Sequence, residues 1–140
     1  MKISEESKEY FEQDPEYVID YLNSRGVKDP AFIKFIRSFE FGLLEDVSFS
    51  IDGDIYEITH LLGKSKVPGY DIVAANKNLG LAEGEDVAIA LVLGDDAICY
   101  NIFNDNVCLY FIQTGEGKKI IIDESLELFI TRLENKEDTK

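Results

Sequence analysis

The chain has 140 residues, 45% hydrophobic and 11% aromatic, and its 14 basic and 28 acidic side chains give a net charge of −14 and a pI near 4.3. A chain of this length fits one domain, expected over residues 1–140 with a polar, frayed tail at 134–140. It can bury about 68% of its unfolded surface without help from metal or disulfide, and its apolar content argues against disorder. The charge repels phosphate backbones and anionic membranes, which disfavours nucleic-acid or membrane binding and favours a basic protein partner.

The first quarter reads as helical, with Tyr10 and Phe11 on an otherwise charged segment at 4–13. Asp14-Pro15 then supplies an N-cap and a proline at the first helical position, and Tyr17, Val18, Tyr21 and Leu22 repeat as one face before Gly26. Asp29-Pro30 repeats the signal, and Phe32, Ile33, Phe35, Ile36 and Phe39 form an apolar stripe that ends near Gly42. At helical spacing such a stripe is core, not a ligand face.

From Asp46 the period becomes two. Val47, Phe49 and Ile51 alternate with Ser48, Ser50 and Asp52, and Asp52-Gly53 marks a hairpin whose return strand is Ile55 to Ile58. Residues 59–66 read as a strand end or loop, Val67-Pro68-Gly69 as a turn, and 70–78 as a short helix closed near Gly80. After the acidic loop Glu83-Gly84-Glu85-Asp86, apolar runs at 87–93, 97–102, 107–112 and 118–122 are separated by short turn clusters. That spacing predicts consecutive antiparallel strands, because parallel crossovers need far longer connections. Leu126, Phe129, Ile130 and Leu133 then recur at helical spacing, with Asp123 as expected N-cap. The fold class is therefore α+β, a largely antiparallel sheet packed with N-terminal helices and a C-terminal helix.

Templates for chemistry fail one by one. His60 is the sole histidine, no Gly-x-Ser-x-Gly elbow presents a nucleophile, and Cys99 and Cys108 read as buried free thiols. Whether the two thiols face one another depends on loop length, since a one-residue slip reverses every side chain. Zinc ligand spacing is missing. Asp52-Gly53-Asp54 lacks the central glycine and closing Glu of a calcium loop, and Gly115-Glu116-Gly117-Lys118-Lys119 lacks the pattern of a phosphate loop. Asp95-Asp96 beside Gly94 reads as a solvent-facing turn. No catalytic, cofactor or metal residue is assigned. No apolar run reaches the roughly 18 residues of a membrane span, and Met1-Lys2-Ile3-Ser4-Glu5-Glu6 lacks the apolar stretch of a signal peptide, so a cytoplasmic location is expected.

The order of motifs resembles the SUKH superfamily, domains similar to the yeast cell-wall assembly regulator and to many bacterial immunity proteins. The resemblance rests on the Asp-Pro helix, the strand pair at 47–58, Ala88-Ile-Ala-Leu-Val-Leu-Gly94-Asp95-Asp96-Ala-Ile-Cys-Tyr100, Val107-x-x-Tyr110-Phe111, and Ile121-Ile122-Asp123-Glu124-Ser125-Leu126 opening the closing helix. It is best over 87–133. The family often has Leu-Pro before its early helix and Asn-Gly-Gly after it, where this chain has Asp29-Pro30 and Phe39-Glu40-Phe41-Gly42; Leu126 stands where the family tends to have Phe. The resemblance implies an α+β domain that, in bacterial members, binds and neutralises a toxin, often a nuclease, and it implies no catalytic residues. A regulatory or scaffold module related to cell-wall assembly is the alternative. The acidic turn residues Asp52, Asp54, Glu83, Glu85, Asp86, Asp95 and Asp96 are the candidate partner contacts, with an exposed aromatic as anchor.

Overall fold

Each Asp-Pro pair starts a helix. In the computed structural model, which describes residues 2–3, 9–37, 42–45, 47–112 and 117–134, the Asp14 carboxylate accepts from the Tyr17 amide at 3.2 Å. Asp29 accepts from the amides of Ala31 and Phe32 at 2.9 and 3.2 Å. Proline follows where its missing N–H removes no helical bond. Helix α1 (Pro15–Ser24) buries Val18, Ile19 and Leu22, and α2 (Pro30–Arg37) buries Phe32, Phe35 and Ile36. Phe39, residues 4–8, the glycine turn at 115–116 and the expected tail beyond Glu134 lie outside the described residues.

The N-terminal segment corrects the helix expected over 4–13. After β1 (Lys2–Ile3), Phe11–Glu12 forms strand β2, antiparallel to β6 (Lys64–Ser65). The Phe11 ring stacks on Tyr70 at 5.8 Å, a tertiary contact that outweighs the weak local helical preference.

The main sheet runs β1-β3-β5-β7-β8-β9-β10, with β4 also alongside β5, and every pairing is antiparallel. Here β3 is Gly42–Glu45, β4 Ser48–Ile51, β5 Asp54–Leu61, β7 Asp86–Val92, β8 Ala97–Asn101, β9 Val107–Phe111 and β10 Lys118–Asp123. The four expected central segments are thus adjacent. Strand β5 runs past the expected stop at Ile58 and takes His60 into the sheet, paired with Leu91. Cys99 lies directly opposite Cys108.

Register shifts at 58/60, 88/90 and 121/123 bend the sheet. The bend is large enough for Tyr56 of β5 to meet Phe111 of β9 at 5.9 Å, although β7 and β8 separate their strands. Every residue of β7 and β8 is buried, because helices cover one face and the curl encloses the other. This is why that run reads as nearly continuous apolar sequence instead of alternating. On the helical face Val18, Leu22, Phe32, Phe35, Ile36, Leu61, Ile89 and Phe129 converge.

Two polar side chains fix the helical layer. Asp71 caps α3 (Ile72–Asn78) at the Ala74 amide and also accepts from the Tyr17 hydroxyl at 3.0 Å and the Ser65 amide at 3.1 Å. Burial first, then this bond to Asp71, pushes the Tyr17 hydroxyl up to about 12. Asn76, fully buried, donates to the carbonyls of Ile72 and Ala88 and accepts from the Ala88 amide. It supplies β7 with hydrogen bonds beside the register shift at 88/90. The closing helix α4 (Leu126–Glu134) starts later than expected. Asp123 ends β10, and Ser125 Oγ accepts from the Leu128 amide at 3.1 Å in the capping role. Leu126, Phe129 and Ile130 are buried as their spacing requires; the Leu133 side chain is outside the described set.

Candidate partner-binding surface

Antiparallel pairing divides the seven candidate carboxylates between opposite ends of the sheet. The N-terminus of β5 and the C-terminus of β7 meet at Ile58 and Val92, so the 52–53 and 93–96 turns share one end, with Asp52, Asp54, Asp95 and Asp96. Glu83, Glu85 and Asp86 lie at the other, where β7 begins and β8 ends.

Burial removes two of the seven from the surface. Asp86 is 7% exposed; it accepts from Asn101 Nδ2 at 3.2 Å and pairs with the Lys119 ammonium, which also sits 4.7 Å from the Tyr110 ring centroid. The bond to Asp86 raises the Lys119 pKa. Asp86 is a structural tie between β7, β8 and β10. Asp96 is 3% exposed, and its carbonyl accepts from the Val92 amide as the turn closes. The expected solvent-facing dyad is therefore a single accessible carboxylate, Asp95. Turn geometry causes the split: Asp95 takes a positive φ of 66° beside Gly94 at 97°, and the next residue re-enters the strand pairing.

The end with Asp52, Asp54 and Asp95 also carries exposed apolar side chains. Ile58 and Val92 point inward, so Ile55, Glu57 and Leu93 point outward by strand alternation, and Ile55 and Leu93 are 76% and 71% exposed. At this end the carboxylates of Asp52, Asp54, Glu57 and Asp95 enter no ion pair among the described residues. Two hollows open at this end. One, about 210 Å³, lies between Tyr70, α3 and Asp95; the other, about 360 Å³, is the mouth of the curled sheet, lined by Ile51, Asp52, Asp54, Tyr56, Phe111, Lys118 and Ile120.

At the opposite end the 101–106 loop presents the exposed aromatic that sequence reasoning left unplaced. Asn101 Oδ1 accepts from the amides of Phe103 and Asn104 at 3.0 and 2.9 Å, and the Tyr100 hydroxyl donates to Asp105 at 2.7 Å. Phe103 stands at the apex, 76% exposed, and the Ile102 amide bonded to the Glu85 carbonyl ties this loop to the acidic one. An asparagine three residues before another asparagine was the available signal.

His60 belongs to the first end. It stacks on Tyr70 at 4.1 Å, and its Nδ1 lies 2.9 Å from the Thr59 hydroxyl. That hydroxyl also lies 3.3 Å from the Leu91 carbonyl. Burial lowers the His60 pKa, opposed by Asp95. Burial pushes the Cys99 thiol well up and Cys108 to about 11, which disfavours the reactive thiolate. Among the described residues no group of three or more His, Cys, Asp and Glu could hold a metal ion, and no helix is long and apolar enough to cross a membrane.

Comparison with protein-family models, curated proteins and solved structures gives no match for this chain.

Proposed function

We propose that this chain is a non-enzymatic binding protein of SUKH type, an immunity protein that binds and neutralises a cognate toxin, often a nuclease, in the bacterial cytoplasm. The observation that carries the reading is the sheet end where Ile55 and Leu93 are exposed on the outer face with Glu57, while Asp95 stands on the adjoining turn and Asp52 and Asp54 at the mouth of the sheet, on a chain of net charge −14. An apolar centre inside a charged rim is the anatomy of a protein interface. A nuclease active site is basic because it binds phosphate, so carboxylates in no ion pair among the described residues steer an inhibitor onto it. Occupancy, not turnover, is the output.

Co-expression with candidate nuclease toxins tests this. Cells survive and the two chains co-elute as one complex. Continued killing with no complex refutes the reading, and a pull-down that returns a cell-envelope or signalling factor favours the regulatory module.

A further inference from the structure

Among the described residues the curled sheet is open along one side. At the acidic end the strand order begins with β4 and finishes with β10, and each has a partner on one edge alone among the described residues: β4 pairs β5, and β10 pairs β9. These two strands line opposite sides of the 360 Å³ mouth, with Ile51 on one wall and Ile120 on the other. Its floor is aromatic. Tyr56 lies between Phe49, stacked at 5.6 Å, and Phe111, edge-on at 5.9 Å. Asp52 and Asp54 stand on the β4–β5 side and Lys118 on the other, and no ion pair joins them.

We propose that this mouth receives an extended segment of a partner protein, with an apolar or aromatic side chain directed onto Tyr56 and Phe111 and a basic side chain beside Asp52 and Asp54. Strand edges that pair with no described residue offer backbone donors and acceptors to an added strand, and alternate side chains of that strand enter the concavity while their neighbours stay outside. Charge selects the sequence. The two carboxylates outnumber the single lysine in the mouth, and the surrounding field is negative, so a segment with alternating basic and apolar residues fits and an acidic one is repelled. A small apolar ligand is a poorer fit, because the same cavity exposes fixed charges of both signs. The proposal rests on the protein-binding reading but names a separate mode, since the outward-facing Ile55 and Leu93 can occlude a toxin without any strand entering the mouth.

The test is selection of a phage-displayed random dodecapeptide library against the immobilised full chain at low salt, followed by synthesis of the enriched peptide. Enriched sequences alternate basic with apolar residues. Asp52→Asn with Asp54→Asn weakens the peptide about tenfold or more, since both asparagines suit the turn. Glu127→Gln, on the exposed face of α4, leaves binding unchanged. Hydrogen exchange of the complex slows at amides of β4 and β10. A selection without enrichment, peptides indifferent to the Asp52/Asp54 change, or protection confined to other strands overturns the proposal. None of these outcomes touches survival in the co-expression assay, so the two readings fail separately.

Discussion

Asn76 shows how one side chain can govern a contact that no periodicity announces. Its amide satisfies the Ile72 and Ala88 carbonyls and the Ala88 N–H in a site with no access to water. Asn76→Ala leaves buried polar groups without partners and is expected to lower stability by about 2–4 kcal/mol in urea titration; a loss under about 0.5 kcal/mol would show that the tie is dispensable. His60 makes a pH-dependent contribution. Its folded pKa lies below the ordinary 6.5, so the neutral imidazole is favoured by folding, and that stability is present above 6.5 and lost as pH falls. Wild type should therefore lose melting temperature more steeply than His60→Phe between about pH 7 and about pH 5, where the imidazole titrates. Equal slopes would contradict it.

The β8–β9 hairpin makes the chemistry of its cysteines a matter of packing. Cys99 and Cys108 are directly opposed yet buried, and both thiols are shifted upward. Thiol reagents should label neither residue in the native protein and both after unfolding; rapid native labelling would mean that the hairpin opens locally. The hairpins and the first two helices were legible in the sequence because their signals are local: Asp-Pro at a helix start, Asp-Gly at a turn, short gaps between apolar runs. What escaped was set by distant partners. Phe11 joins a strand to reach Tyr70, and Ser125 displaces Asp123 as cap because β10 continues through Asp123. Of the candidate contacts, spacing located the turns but could not tell Asp95 from Asp96, or foresee that Asp86 turns inward to Lys119.

For the whole molecule the decisive feature is the placement of charge. A net −14 alone favours many partners, but carboxylates gathered at the end that exposes Ile55 and Leu93, and in no ion pair among the described residues, give the field a direction. Asp52 and Asp95 sit on hairpin turns with positive φ, and Asp54 opens β5. The most direct measurement is the association rate with a nuclease toxin from the co-expression assay as ionic strength is raised, for wild type and for the Asp52→Asn, Asp54→Asn, Asp95→Asn triple variant. The account predicts a wild-type rate that falls steeply with salt and a triple variant about tenfold slower at low salt. A rate indifferent both to salt and to the three substitutions would contradict it.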